Sequence, residues 1–142
     1  EKPLFWNFYG HIISDGWLYP YPERSYRIGY CNTNIELLRE VRTEIKELFG
    51  IDTLFKKDFR IEIYSKVISQ FLKKIRDNKI LPETPEQIYN FLRACFDDEG
   101  SVTGNGWQII ICQKEKEYIT NVSTLLKKIG INSTEFLTYN KK

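Results

Sequence analysis

Apolar residues recur every three or four positions in five segments of the chain, and this period is typical of amphipathic helices. Shorter segments between them alternate apolar and polar residues or are bounded by turn residues, as strands are. In chain order the pattern predicts a helix over 4–14, strands over 17–22 and 25–32, a helix from 33 to 49, strands over 52–57 and 59–64, helices over 65–76 and 84–99, strands over 100–103 and 107–113, a helix over 115–129 and a strand over 133–139.

The helix boundaries are marked by capping residues. Thr33 with Glu36 and Thr84 with Gln87 have the spacing of capping boxes, in which the two side chains bond to each other's backbone N–H groups. Gly50 supplies a C-terminal stop, because glycine accepts the left-handed conformation that ends many helices.

Three segments of the first part reappear in the same order in the second. The pairs are FYGHIISDG (8–16) with LRACFDDEG (92–100), YRIGYCN (26–32) with WQIIICQ (107–113), and IKELFGID (45–52) with LLKKIGIN (125–132). An ordered repeat predicts two similar units. We assign 1–76 to the first unit, 77–84 to a linker and 85–142 to the second. The complete unit reads αββαββα, and the second stops before its last strand and helix.

Composition sets the class of protein. The 142 residues are 42% hydrophobic and 28% charged, which is typical of a globular domain, and no apolar run has the length of a membrane span. The net charge of +2 is weak support for nucleic-acid binding, so the distribution of charge matters more than its sum. Three cysteines without metal spacing indicate reduced thiols and an intracellular protein, cytoplasmic or organellar. His11 is the only histidine, so no zinc site is expected.

The repeated helical motifs resemble those of the LAGLIDADG homing endonucleases, and the resemblance covers nearly the full chain. FLRACFDDEG (91–100) is the more specific motif, and FYGHIISDG (8–16) occupies the matching place in the first unit. The resemblance implies an α+β fold of two pseudo-symmetric αββαββα halves, packed through paired motif helices. It also implies that antiparallel sheets form a saddle for double-stranded DNA.

Small residues on the motif helices fit such a pairing. Gly10 and Ser14 share one helix face, and Ala94 lies at the place on its helix that matches Gly10. These residues are expected at the helix interface. Asp98 matches Ser14, where the family prefers a small residue, and a carboxylate there is costly unless it is hydrogen-bonded or solvated.

Asp15 and Glu99 end the two motif helices, where the helix dipole disfavours negative charge. The resemblance implies that both acids are catalytic and bind Mg²⁺ or Mn²⁺, with Gly16 and Gly100 in the metal site. Hard cations of this kind prefer oxygen ligands. Each glycine is also expected to turn the chain with dihedral angles that other residues avoid. A solvated helix-end carboxylate is the simpler interpretation of each acid alone, but the repeated context favours metal binding.

Lys79 lies in NKILP (78–82), which resembles a Lys-(Ile/Leu)-Pro element of the family. The resemblance implies that Lys79 orients water or stabilises phosphate charge. An ordinary linker lysine is the alternative. Asp97 is more simply a structural or capping carboxylate than a metal ligand.

DNA contacts are expected from the sheet faces, where only alternate residues of a strand face the same way. Basic and amide side chains there read base edges, and others hold phosphates. The candidates are Tyr19, Tyr21, Arg24, Tyr26, Arg27, Tyr30, Asn32, Lys56, Lys57, Arg60, Ser101, Thr103, Asn105, Trp107, Gln108, Gln113, Thr138 and Tyr139.

The leading hypothesis is a monomeric, metal-dependent endonuclease that cuts double-stranded DNA at a specific site, as in intron or intein mobility. The alternative is a non-cleaving relative, either a splicing maturase that binds intron RNA or a DNA-binding regulator. A third interpretation, an unrelated α+β domain, leaves the ordered repeat unexplained.

Overall fold

A computed structural model describes residues 2–135 of the chain. The helices and strands are α1 (Pro3–Ser14), β1 (Gly16–Tyr19), β2 (Arg27–Cys31), α2 (Ile35–Phe49), β3 (Arg60–Tyr64), α3 (Lys66–Asp77), α4 (Pro85–Glu99), β4 (Gly100–Val102), β5 (Ile109–Ile111) and α5 (Lys116–Lys128). A short 3₁₀ helix, Pro22–Arg24, joins β1 to β2. The α+β fold with antiparallel sheets is confirmed.

The first motif helix, α1, lies at the centre of the molecule. It is apolar on nearly all sides, and every residue from 5 to 12 is buried. A helix of this kind can only be stable when other elements cover it on every side. It contacts α2, the first sheet and α4, and its interface with α4 is the most extensive between any two elements of the described chain.

Strands β1, β2 and β3 form an antiparallel sheet in that order. The register pairs Ile28 with Ile63 and Tyr30 with Ile61, so these four residues share one face and lie in the core. The residues next to them along the strands, such as Arg27, lie on the opposite face. The sheet therefore has a covered side and an outer side, as expected for alternation along half-buried strands.

The second unit contributes α4, the hairpin β4–β5 and α5. The capping box of Thr84 and Gln87 is confirmed at the start of α4, with Pro85 in its first turn. Tyr118, Val122 and Leu125 of α5 are buried in the same core as α1. The two units are thus joined by one continuous apolar core.

The motif helices touch through their backbones. A Cβ added at Gly10 would lie 2.8 Å from the Cβ of Ala94 and 2.8 Å from the carbonyl oxygen of Phe91. Such distances leave no room for a side chain larger than hydrogen. The close approach sets the two helix ends beside each other, and this positions the site.

Four local predictions are wrong or incomplete. The predicted strand over 52–57 is absent except for one bridge between Lys56 and Arg60, because a segment of suitable length does not by itself supply a strand to pair with. The N-cap of α2 is Asn34 instead of Thr33, and its side chain accepts the N–H of Glu36. Residues 131–135 form no strand, and the remainder of the predicted 133–139 strand lies outside the described residues. Because β3 follows α2 directly, the first unit is αββαβα.

The fourth difference concerns the glycines after the motif acids. Neither Gly16 nor Gly100 has a positive φ, so the expected unusual dihedral angles are wrong. A Cβ at Gly100 would lie 2.3 Å from the carbonyl oxygen of Phe96, and one at Gly16 would lie 2.6 Å from the Cα of Ile12. Glycine is needed here because the departing strand passes close to the last helical turn.

Within residues 2–135, no helix combines the length and the apolar character that crossing a membrane requires. The proposed unit boundaries around the 77–84 linker stay a prediction.

Candidate active site at the paired helix ends

Asp15 and Glu99 stand at the neighbouring C-terminal ends of α1 and α4. Burial, followed by the charges of Asp15 and Asp98, raises the pKa of Glu99. Burial, followed by the charge of Asp98, raises the pKa of Asp15. The structure therefore brings three carboxylates close enough to repel one another, and a bound cation would relieve that repulsion.

Each motif acid accepts a hydrogen bond from a side-chain amide. Asn32 Nδ2 donates to Asp15 Oδ2 at 2.8 Å, and Gln113 Nε2 donates to Glu99 Oε1 at 2.8 Å. Asn32 and Gln113 match each other in the repeat, so the two halves hold their acids in the same way. A carboxylate has several lone-pair positions, so the hydrogen bond from one side-chain amide leaves others available to bind an ion.

Backbone contacts fix the orientation of both amides. Asn32 Oδ1 accepts the N–H of Asn34 at 2.8 Å, and Gln113 Oε1 accepts the N–H of Lys114 at 2.8 Å. With the oxygen of each amide directed to a backbone donor, the NH₂ group must face the acid. The sequence placed Asn32 and Gln113 among the DNA contacts, and the structure instead sets both against the motif acids. The repeat gave the signal for this, because each residue follows a matching strand and cysteine.

Asp98 is the third carboxylate, and its side chain is fully buried. Tyr30 donates its hydroxyl to Asp98 Oδ1 at 2.6 Å, His11 Nδ1 lies 2.9 Å from Oδ2, and Asn32 Nδ2 lies 3.4 Å from Oδ1. The condition set by the sequence, that a carboxylate here must be hydrogen-bonded, is met. The prediction that Tyr30 contacts DNA is wrong, because Tyr30 is on the core face of the sheet and its hydroxyl is used by Asp98.

His11 is the partner that the sequence did not identify. Burial alone would lower its pKa, but the hydrogen bond to Asp98 and the charge of that carboxylate raise it overall. When His11 is protonated, its charge offsets that of the buried Asp98 carboxylate. The interaction joins residues 87 positions apart in the chain, so no local pattern shows it.

Ser14 makes the corresponding contact on the other side of the helix pair. Its hydroxyl lies 2.7 Å from the hydroxyl of Tyr118 on α5.

Burial raises the pKa of nearby Cys95 to about 12, so this thiol is a packing residue without reactivity at neutral pH.

Lys79 lies apart from these contacts. It is exposed, it has a positive φ of 53°, and its Nζ lies 3.2 Å from Glu117 Oε1 at the start of α5. Its role in catalysis stays a prediction, as does the participation of Gly16 and Gly100 in metal binding.

The outer face of the first sheet is rich in aromatic and basic side chains. The guanidinium groups of Arg24 and Arg27 lie 5.6 Å and 5.2 Å from the ring centre of Tyr19. Arg27 also lies 3.4 Å from Glu62 Oε1, and Lys56 pairs with the same carboxylate. The face is therefore polar and organised, with cations held in position by rings and by one acid.

The other predicted DNA contacts divide by exposure. The exposed ones are Tyr19, Tyr21, Arg24, Lys56, Lys57, Ser101, Asn105, Trp107 and Gln108, and the partly exposed ones are Tyr26, Arg27, Arg60 and Thr103. Thr103 and Asn105 hydrogen-bond to each other within the β4–β5 turn at 2.6 Å, so the hairpin uses their polar atoms. Thr138 and Tyr139 lie outside the described residues.

The site offers an oxygen-rich donor set that suits Mg²⁺ or Mn²⁺. In the described part of the chain, no group of three or more His, Cys, Asp and Glu side chains is arranged to hold a metal ion. Magnesium commonly binds through one or two carboxylates, with waters and substrate phosphates completing its shell. Asp15 and Glu99 supply that minimum, so the residues fit the ion that the motif implies.

Comparison with known proteins found a matching family model and similar solved structures. Residues 86–142 match the family model of the LAGLIDADG-like domain. No curated protein matches the chain by sequence. Among solved structures, one from a study of mesophilic variants of the homing endonuclease I-DmoI matches with a TM-score of 0.70 and 18% identity, over 97% of this chain and 83% of that one.

Two complexes of the same endonuclease are also similar. I-DmoI with DNA and Mn matches with a TM-score of 0.72 and 18% identity, over 97% of this chain and 84% of that one. I-DmoI with DNA and Ca matches with a TM-score of 0.66 and 18% identity, over 93% of this chain and 74% of that one. At such low identity the likeness shows the fold.

Proposed function

We propose that the protein is a site-specific, metal-dependent endonuclease of double-stranded DNA, because residues 86–142 match the family model of the LAGLIDADG-like domain and the chain has the fold of a LAGLIDADG homing endonuclease. The observation that supports this proposal most is that Asp15 and Glu99 lie at neighbouring helix ends, where each accepts a hydrogen bond from a side-chain amide. A paired, half-buried acid site has no evident structural benefit, because both carboxylates repel each other at unfavourable helix ends.

Asp15 and Glu99 would hold the divalent cation through their carboxylates. When bound, such an ion polarises the scissile phosphodiester and lowers the pKa of a water that attacks it. Asn32 and Gln113 restrict the rotation of the two acids, so that their oxygens are positioned before the ion and DNA arrive. Such preorganisation reduces the entropy that binding must otherwise cost.

The outer sheet face would bind the duplex. Arg24, Arg27 and Arg60 can each pair with phosphate or with guanine in the major groove, and exposed amides such as Gln108 suit adenine. Because one chain supplies both acids, the active species is a monomer. The solved relatives in complex with DNA and divalent metals support the choice of partner and cofactor.

Selection from a library tests the proposal without knowledge of the target. The protein is incubated with randomised duplexes and Mg²⁺, and the sequences of the cut ends are compared with those from an incubation with EDTA. We expect one recovered sequence family with breaks in both strands, found only with the metal. Enrichment by binding without any cut ends would favour the non-cleaving alternative.

A further inference from the structure

The position of Asp98 suits neither a metal ligand nor a DNA contact. It comes from the second motif helix, and its side chain is fully buried at the seam between the units. Two of its partners, His11 and Tyr30, come from the first unit. We propose that Asp98 is a positioning residue that fixes Asn32, and through Asn32 the carboxylate of Asp15, across this seam.

The hydrogen-bond distances support a fixed arrangement. Tyr30 and His11 hold the two oxygens of Asp98 at 2.6 Å and 2.9 Å. Asn32 Nδ2 then lies 3.4 Å from Asp98 Oδ1 and 2.8 Å from Asp15 Oδ2. One NH₂ group thus lies within hydrogen-bond distance of both carboxylates, and Asp98 restricts its position together with Asp15.

Burial explains why the arrangement is stable. An isolated carboxylate in this place would be strongly unfavourable, and hydrogen-bond partners from the first unit offset that cost. The carboxylate therefore favours one orientation of the Tyr30 hydroxyl, the His11 ring and the Asn32 amide over others. A small residue at position 98 would leave these three groups without their shared acceptor.

Among the described residues, only the acid of the first motif has a positioning residue of this kind. The residue that matches Asp98 in the first motif is Ser14, a neutral hydroxyl that pairs with Tyr118. The described contacts of Gln113 are with Glu99 and Lys114. Asp98 is therefore linked to Asp15 by hydrogen bonds through Asn32, whereas only its charge acts on Glu99. Resting on the proposed function, this asymmetry predicts that the two DNA strands respond differently to the loss of Asp98.

A measurement on the metal-free protein tests the positioning itself. We expect Asp98→Ala to shift and broaden the side-chain NH₂ resonances of Asn32 in ¹⁵N NMR spectra, and to leave those of Gln113 in place. Asp97→Ala, the same change one residue away at an exposed position, is the control and should alter neither. Unchanged Asn32 resonances, or an equal change at Gln113, would overturn the proposal.

Strand-resolved nicking on a selected duplex supplies the second test. Asp98→Ala should slow one strand about 10- to 100-fold more than the other, with DNA affinity in Ca²⁺ retained, and Asp98→Asn should restore part of the balance because it keeps an acceptor. An equal loss on both strands would contradict the proposal. Should Asp98→Ala not fold, Tyr30→Phe removes one donor at constant size and is read by the same two measurements. A wild-type chain that never cuts would refute the endonuclease, and the NMR result would still decide the role of Asp98.

Discussion

Glu44 on α2 is an ionisable residue in the core that contacts neither motif acid directly. It is only 2% exposed, and Asn7 Nδ2 donates to its Oε1 at 2.6 Å. Burial raises the pKa of Glu44 to about 7, although the bond from Asn7 acts in the opposite direction. Its protonation state therefore changes near neutral pH.

The raised pKa of Glu44 makes the stability of the protein depend on pH. The folded protein keeps the proton of Glu44 up to about pH 7, whereas the unfolded chain releases it near its ordinary value of 4.5. The free energy of unfolding should therefore fall as pH rises between these values, by up to about 3 kcal/mol. The raised pKa of His11 acts in the same direction, since its charge is lost as pH rises. Urea denaturation at pH 5 and pH 8 measures the difference.

Glu44→Gln should reduce the loss at pH 8, because the amide can still accept from Asn7 without a buried charge. Glu47→Gln, at an exposed position on the same helix, is the control and should behave like the wild type. Equal pH dependence in Glu44→Gln and the wild type would show that Glu44 does not titrate in this range.

Single residues differ in how far the sequence reveals them. Asp15 and Glu99 are identified by motif and repeat, which are local properties. The partners of Asp98 lie 68 and 87 positions away along the chain, and only the folded chain shows that Tyr30 and His11 face it. The prediction that Tyr30 contacts DNA is wrong because the sequence of a strand does not show whether an aromatic residue lies on the covered face or on the open face.

The pair of α1 and α4 is the element on which the site depends. Gly10→Ala adds a methyl group 2.8 Å from both the Cβ of Ala94 and the carbonyl oxygen of Phe91, so the helices must separate. We expect the free energy of unfolding to fall by about 1–3 kcal/mol, and Gly10→Leu to cost at least as much. Thermal or urea denaturation measures both.

Gly104→Ala is the matched control for this change. A Cβ at Gly104 meets no atom within 4 Å, and its φ lies outside the left-handed region. Its stability should remain close to that of the wild type. A Gly10→Ala variant as stable as Gly104→Ala would contradict the close packing of the motif helices.

Helices were easier to predict than strands, for a physical reason. The backbone hydrogen bonds of a helix lie within one segment, so capping residues and a 3.6-residue period locate it, as they do for α4. A strand needs a partner from elsewhere in the chain. The segment 52–57 has the apolar residues of a strand, but only Lys56 finds a bridge, at the turn before β3.

At the scale of the whole molecule, net charge says little about the partner. The sum is only +2, yet Arg24, Arg27, Lys56, Lys57 and Arg60 lie on or beside one sheet. A duplex on this surface would release counterions from its phosphates. We expect DNA affinity to fall linearly with salt on logarithmic axes, measured by fluorescence anisotropy in Ca²⁺. An affinity that does not change with salt would exclude this surface as a phosphate-binding face.

We propose that Asp15 and Glu99 together form one metal-dependent cutting site. Single-turnover cleavage of a selected duplex by the wild type, Asp15→Asn and Glu99→Gln, with DNA affinity measured in parallel, tests it most directly. We predict that the wild type cuts both strands with Mg²⁺, and that each variant cuts about 100-fold more slowly or worse at nearly unchanged affinity. Cleavage by either variant at the wild-type rate would contradict the account.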